Sequence, residues 1–164
     1  MLWRISNRAD PVACHIADRH YNRQKPGTSQ FVPPGRCLVL LNGEATALWV
    51  TSWPFAEWVK HRWPGAWVNS CFRREGGARA SDLIRDAVAA TRWFYGDPPA
   101  LGMVTFIDRD KVKPRRAGYG KCYLAAGFEE DGETKSGLLA LRLRPENMPG
   151  AEKPWESELF QNAG

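Results

Sequence analysis

The sequence has no long apolar run and no repeated segment, and each absence removes a class of protein. No stretch of about 18 apolar residues occurs in the 164-residue chain, so no membrane-spanning helix is expected. The first six residues are too few and too polar for a signal peptide, which favours a cytoplasmic protein. No internal repeat or second domain is visible, so the length predicts one domain with its own hydrophobic core.

Cysteine is scarce, and its four copies are widely separated. None of Cys14, Cys37, Cys71 and Cys122 belongs to a CxxC pair. This spacing predicts neither a structural zinc site nor a disulfide framework. We expect four ordinary thiols in a reducing compartment.

What the chain does contain is a globular composition with an excess of positive charge. It is 43% hydrophobic and 25% charged, and its formal net charge is +5. Residues 144–164 hold two basic and four acidic side chains, so the first 143 residues carry +7. A basic body suits a polyanion such as nucleic acid, although many basic proteins bind none.

The hydrophobic pattern predicts a mixed sheet flanked by helices. Apolar residues recur at a spacing of 3–4 in 81–95, which is typical of a helix, and Asp10-Pro11 is a favourable helix start. Asn42-Gly43 between two apolar runs predicts a hairpin. The predicted order is strand 2–6, helix 10–21, strands 36–41 and 45–51, strand 66–72, helix 81–95, strand 101–107, helix 118–126, and two strands near Phe128 and over 137–143 joined by a turn at Asp131-Gly132.

Two segments are predicted to lie outside this regular structure. Residues 22–34, rich in Pro, Gly, Gln and Ser, form a long loop, and loops of this length are often functional. We place the domain at 1–145 and expect 146–164 to be a polar, loosely attached tail.

The turn before the long helix is a candidate phosphate site. Backbone N–H groups at a helix N-terminus bind anions, and glycines let a phosphate approach closely. The alternative is an ordinary glycine turn with solvated arginines. The candidate binding residues for an anionic cofactor are Arg73, Arg74, Gly76, Gly77, Ala78 and Arg79.

The last third of the chain resembles the GNAT transferases. Tyr123 begins a match to the family's Tyr-x-x-x-Gly-Phe signature, which ends at Gly127-Phe128. The segment from Arg73 to Ala78 is similar to the family's phosphate turn, although more compact. The resemblance implies a GNAT-like α/β fold with a mostly antiparallel sheet, an acyl donor such as acetyl-CoA, and a role for Tyr123 in protonating the leaving thiolate.

A closer resemblance, over residues 14–143, is to Mom-type phage proteins that modify adenine in DNA. The matching features are His20-Tyr21, Ser81 at the start of the long helix, Phe106-Ile107-Asp108, and Tyr123 to Phe128. This resemblance implies transfer of a carbamoylmethyl-type group, derived from an acyl or glycyl donor, to the adenine N6 amine. It further implies protection of phage DNA from restriction in the cytoplasm of a bacterial host.

Four residues are therefore candidate catalytic residues, each with a structural alternative. Asp108 and His20 would act near the amine, Tyr123 near the leaving group and Ser81 near the donor. The alternatives are a loop carboxylate paired with Arg109 or Lys111, a histidine at a helix C-terminus, a core tyrosine and a helix N-cap. A metal could bind through His20 and Asp108, but no spacing requires one, and no metal site is assigned.

A basic loop after Asp108 is a candidate DNA contact. It would hold phosphates beside the target base, with the loop after His20 as a second contact, unless both are simply solvated. The candidate nucleic-acid-binding residues are Tyr21, Arg23, Lys25, Arg109, Lys111, Lys113, Arg115 and Arg116. One or two tryptophans could stack an extruded base, because chemistry on a base in duplex DNA requires extrusion. The sequence also permits a homodimer.

Two other functions remain open from the sequence. One is a conventional acetyl-CoA-dependent N-acetyltransferase that acts on a protein or a small amine. The other is a nucleic-acid-binding module without catalytic activity. That module would bind DNA with a steep salt dependence and would be indifferent to replacement of Asp108 or Tyr123.

Overall fold

A computed structural model describes residues 1–21, 23, 26–28, 31–112 and 118–156 of the chain. Within these ranges lie seven strands, three α-helices and two short 3₁₀ helices. In chain order they are β1 (Trp3–Ile5), α1 (Pro11–Asp18), β2 (Cys37–Asn42), β3 (Ala47–Ser52), a 3₁₀ helix (Ala56–Trp58), β4 (Trp67–Arg74), α2 (Ala80–Tyr95), β5 (Met103–Ile107), α3 (Lys121–Ala125), β6 (Glu129–Glu133), β7 (Leu139–Leu143) and a 3₁₀ helix (Pro145–Asn147).

All seven strands belong to one open sheet. The strand order is β1-β2-β3-β4-β5-β7-β6. Every neighbouring pair is antiparallel except β4 and β5, which run parallel. The prediction of a mixed, mostly antiparallel sheet with helices in a single domain is confirmed.

The helices cover both faces of the sheet, because successive strand residues point to opposite sides. One face packs against α2 and α3, and its buried core includes Leu40, Trp49, Leu83 and Met103. On the other face α1 packs against β2, β3 and β4. Farther along that face, the segment between β3 and β4 covers β5 and β7 through Trp63.

Local sequence explains where the two longer helices begin and end. The Asp10 carboxylate accepts a hydrogen bond from Val12 N at 2.9 Å, and Pro11 occupies the first turn of α1. α1 ends at Asp18, earlier than predicted, because the N–H of His20 turns back to the carbonyl of Ala17. α2 follows the prediction closely and stops at Gly96, whose φ is +92°.

Two turns differ from the prediction. Asn42 belongs to β2, and its side-chain oxygen accepts hydrogen bonds from the N–H groups of Thr46 and Ala47, which closes a longer hairpin turn. The predicted turn at Asp131-Gly132 lies inside β6, where the register shifts. The turn between β6 and β7 comes later, where Gly137 N donates to Thr134 O at 2.9 Å.

The segment after Pro145 is attached to the domain, so the expectation of a loose tail is wrong for residues 146–155. Ile5 N donates to Trp155 O at 2.7 Å, and Trp155 N donates to Trp3 O at 3.0 Å. Arg92 Nη1 donates to Pro149 O at 2.9 Å, and Met148 is buried in the core. The main chain of this segment is thus tied to β1 and α2, while residues 157–164 lie outside the described ranges. No described helix is both long enough and apolar enough to cross a membrane.

Candidate functional site

A cavity opens where β4 and β5 separate. Their registered pairs are Trp67 with Met103, Val68 with Val104 and Asn69 with Thr105. After Asn69, β4 continues to Arg74 beside β3, while β5 continues to Ile107 beside β7. A cavity of about 740 Å³ occupies the space between the diverging ends, closed by the beginnings of α2 and α3.

The cavity reaches both faces of the sheet. Cys71 packs with the α1 core, whereas the next residue, Phe72, packs with the α2 core. On β5, Phe106 and Ile107 divide between the two faces in the same way. All four residues line the cavity, so its wall combines residues from both faces of the sheet.

The lining is strongly cationic. Arg74, Arg79 and Lys121 all contribute to it, and none of its described residues is Asp or Glu. The N-terminus of the 16-residue helix α2 lies at the same place, with the positive end of the helix dipole. The charge at this side of the cavity favours an anionic ligand.

Only part of the predicted phosphate turn faces this cavity. Arg74 and Arg79 do, but Arg73, Gly76, Gly77 and Ala78 are not among the lining residues. Gly77, at φ +85°, faces the β2–β3 hairpin, where an added Cβ would lie 2.9 Å from Asn42 Nδ2. The glycines of the turn therefore do not line the cavity, and Gly77 allows the turn to pack closely against the hairpin.

Arg74 also holds the shape of this turn. Its Nε donates to Ala78 O at 2.7 Å, and its Nη2 donates to Gly77 O at 3.1 Å. The neighbouring Glu75 accepts hydrogen bonds from Arg19 and Arg73, which together hold its pKa near 2. These bonds connect the end of α1 to the end of β4.

Tyr123 lies on the floor of the cavity, in contact with two residues that the sequence did not single out. Its hydroxyl donates to Asn69 Oδ1 at 2.7 Å. The Thr105 hydroxyl lies 3.1 Å from the same oxygen. Burial raises the pKa of Tyr123 well above its usual range, so the phenol stays protonated. In this arrangement its proton is bonded to Asn69, not to a leaving group.

His20 and Tyr21 form the aromatic edge of the cavity. Their rings stack at a centroid distance of 4.6 Å, and both residues line the cavity. Burial raises the pKa of the Tyr21 hydroxyl, and a hydrogen bond from the main chain of Asp108 opposes that rise. The structure thus brings His20-Tyr21 beside the end of β5, as the expected site requires.

The carboxylate of Asp108 contacts residues of its own loop. Its Oδ1 accepts from Asp110 N at 3.1 Å, and its Oδ2 lies 3.8 Å from Lys111 Nζ. Asp108 borders the site through its main chain but is not among the lining residues. Ser81 does line the cavity, in the first turn of α2; the residue at the N-cap position is Arg79.

Two of the predicted DNA contacts are engaged inside the protein. The Arg23 side chain is only 6% exposed and forms an ion pair with Asp18 at 2.8 Å. Arg109 forms an ion pair with Glu133 on β6. Lys111 is more accessible, with 60% of its side chain exposed. Lys25, Lys113, Arg115 and Arg116 lie outside the described residues.

Aromatic residues line the cavity, but they are not the tryptophans. Trp49, Trp63 and Trp67 are buried, while Trp53 and Trp58 lie in or beside the exposed segment after β3. The aromatic lining residues are Tyr21, Phe72, Phe106, Tyr119 and Tyr123.

Across the described ranges, no three His, Cys, Asp or Glu side chains are grouped so that they could hold a metal ion. All four cysteines are free thiols. Two of them, Cys71 and Cys122, line the cavity. Burial raises the pKa of Cys71 to about 12, so it is a poor nucleophile at neutral pH.

Sequence reasoning missed Asn69, Thr105 and Lys121. Asn69 is a polar residue in the middle of β4, between the apolar residues Val68 and Cys71-Phe72, and is only 3% exposed; its position among apolar residues was the available signal.

Comparison of the chain with known families, with curated proteins and with solved structures finds no match.

Proposed function

We propose that the chain is a GNAT-like transferase that adds a small acyl- or glycyl-derived, carbamoylmethyl-type group to the N6 amine of adenine in DNA. The observation that carries the proposal is the cavity between β4 and β5, which is cationic around the start of α2 and aromatic beside His20-Tyr21. A group-transfer enzyme needs adjoining sites for donor and acceptor, because the two reacting groups must be held in contact.

The donor is assigned to the cationic side. Arg74, Arg79 and Lys121 would hold its phosphates together with the N–H groups at the start of α2. Ser81, in the same turn, would hydrogen-bond the transferred group. Acetyl-CoA has such phosphates but can supply only an acetyl group, with CoA thiol as the leaving group. A carbamoylmethyl-type product requires a phosphate-bearing donor that carries a glycyl-derived unit.

The adenine is assigned to the aromatic side. A base extruded from DNA requires stacking partners, and Tyr21 and Phe106 line this side of the cavity. Adenine N6 is a weak nucleophile because its lone pair is delocalised into the ring. His20, which lines the cavity, would take a proton from it, and Asp108 would assist by fixing Tyr21 through its main chain.

Tyr123, which lines the same cavity, is assigned to the point where the donor and the adenine would meet. The raised pKa of its phenol keeps a proton at this point at neutral pH. Its role as proton donor to the leaving group would require the hydrogen bond to Asn69 to open during transfer.

Mass spectrometry of nucleosides tests this proposal. The chain is expressed in a bacterial host, and host DNA and phage DNA are digested and analysed. The expected result is a mass-shifted deoxyadenosine that is absent without expression. Unmodified deoxyadenosine in both DNAs, with folded protein present, would refute the proposal.

A second candidate function is acetyl-CoA-dependent N-acetylation of a protein or a small amine. It is favoured by the internal ion pairs of Arg23 and Arg109, which reduce the charge available for DNA phosphates. Calorimetry separates the two functions. Tight binding of acetyl-CoA without any DNA adduct would favour this candidate.

A further inference from the structure

The floor of the cavity is a closed hydrogen-bond cluster of Asn69, Thr105 and Tyr123. Asn69 Nδ2 donates to two main-chain carbonyls, Val50 O at 3.0 Å and Cys71 O at 2.9 Å. A carbonyl only accepts hydrogen bonds, so this fixes the orientation of the amide and leaves Oδ1 facing the two hydroxyls.

Both hydroxyl groups donate their protons to hydrogen bonds within this cluster. The Tyr123 proton is given to Asn69 Oδ1. The Thr105 hydroxyl lies within bonding distance of Asn69 O at 3.2 Å and of Oδ1 at 3.1 Å, and it also lies against the Tyr123 phenol. Each hydroxyl carries one proton, so neither has a proton left to offer to a ligand.

We infer that Asn69 makes the cavity floor a hydrogen-bond acceptor, so that the floor selects a ligand group that donates an N–H, namely an amine. Tyr123 and Thr105 both line the cavity, and because their protons are bonded within the cluster, their oxygens can only accept a hydrogen bond from a ligand. Asn69 is thus a positioning residue that acts through Tyr123. The inference rests on the proposed function only for the identification of that amine as adenine N6.

Binding of two oligonucleotides that differ only in this amine tests the inference. A short single-stranded oligodeoxyadenosine is compared with the matching oligomer of purine deoxyriboside, which has hydrogen in place of the amine. Backbone charge is identical, so phosphate contacts cancel in the ratio of the two dissociation constants. The wild-type chain is expected to bind the adenine oligomer about fivefold more tightly.

Three variants test whether the cavity floor causes the preference for the adenine oligomer. Tyr123→Phe removes the acceptor oxygen, and Asn69→Leu releases the Tyr123 proton into the cavity; both are expected to lower the ratio about fivefold. Tyr95→Phe, which changes a tyrosine that does not line the cavity, is the matched control and keeps the wild-type ratio. Thermal unfolding checks that each variant is folded, and Tyr123→Phe suffices if Asn69→Leu does not fold.

The outcomes separate this inference from the proposed function. No wild-type preference, or the same ratio in Tyr123→Phe, would overturn the inference even if adenine adducts form in host DNA. A preference that Tyr123→Phe abolishes would support it even if no adduct is found, in which case only the proposed reaction fails.

Discussion

Asn69 on β4 and Thr105 on β5 form the last registered pair between the two parallel strands, and the Thr105 hydroxyl lies 3.1 Å from Asn69 Oδ1. Beyond this pair each strand follows its antiparallel neighbour instead. Ser70, the next residue of β4, lies at the register shift that separates the pairs of Val50 and Thr51. The same two residues therefore end the pairing and form the floor of the cavity.

Because Gly77 is closely packed, any side chain at this position should destabilise the folded chain. Gly77→Ala should lower the free energy of unfolding by about 1–2 kcal/mol, because alanine is strained at φ +85° and its Cβ would meet Asn42 and Glu44. Urea unfolding measures this. Gly43→Ala is the control, since its Cβ would meet nothing within 4 Å, and its effect should stay within about 0.5 kcal/mol. Equal effects of the two substitutions would show that the turn does not pack as described.

The ion pairs of Glu75 should stabilise the folded chain to an extent that depends on pH. Its pKa is lowered to about 2 by Arg19 and Arg73, so its ion pairs stabilise the folded state above pH 4.5 and are lost as pH falls towards 2. Glu75→Gln should cost about 0.5 kcal/mol at pH 7, because the pairs are partly exposed.

The pH dependence of that difference is the measurement. Urea unfolding of wild type and Glu75→Gln between pH 7 and pH 2 should give curves that converge below pH 4.5. Glu57→Gln, at an exposed position in the first 3₁₀ helix, is the control and should match the wild type throughout. A difference between wild type and Glu75→Gln that persists unchanged at pH 2 would contradict the assignment.

The thiol of Cys71 should resist alkylation. Its pKa of about 12 leaves roughly a thousandfold less thiolate at pH 8 than an ordinary thiol has. Peptide mapping by mass spectrometry after brief iodoacetamide treatment should find Cys71 unlabelled in the folded chain and labelled in urea. Rapid labelling of Cys71 without denaturant would mean that the cavity wall is more open than described.

The segment after Met148 should contribute to stability. A chain ending at Met148 loses the hydrogen bonds made by Pro149, Glu152 and Trp155, which a chain ending at Glu156 retains. These are five bonds, and at about 1 kcal/mol for each the shorter chain should be less stable by about 5 kcal/mol. Chemical denaturation of the two truncated chains gives this difference directly, and no difference would support a loose tail after all.

The sequence predicted most helices and strands well because the patterns that indicate them lie within short segments. Apolar spacing in α2 and the Asp10-Pro11 start of α1 are properties of short segments. The turn of the last hairpin was misplaced because Asp131-Gly132 is a strong turn signal, yet Asp131 is held within β6 by Arg142 and Trp63. Contacts distant in sequence decided that position.

The site was predicted only in part for the same reason. His20, Ser81 and Tyr123 could be named from a resemblance, and the structure brings all three to one cavity. Asn69 could not be named, because its importance depends on hydroxyls 36 and 54 residues away. The internal pairing of Arg109 with Glu133 was equally hidden, since a charged loop gives no sign of its partners.

The yield of deoxyadenosine adduct from cavity variants tests the central claim most directly. Wild type, Arg79→Ala Lys121→Ala and the surface control Lys135→Ala are expressed at equal levels, and host DNA is analysed by nucleoside mass spectrometry. The account predicts an adduct with wild type and with Lys135→Ala, and a loss of at least tenfold, or about 1.4 kcal/mol, when both cavity cations are removed. An adduct formed equally by all three chains would contradict the assignment of the cavity as the site of transfer, and no adduct from any of them would contradict the proposed reaction.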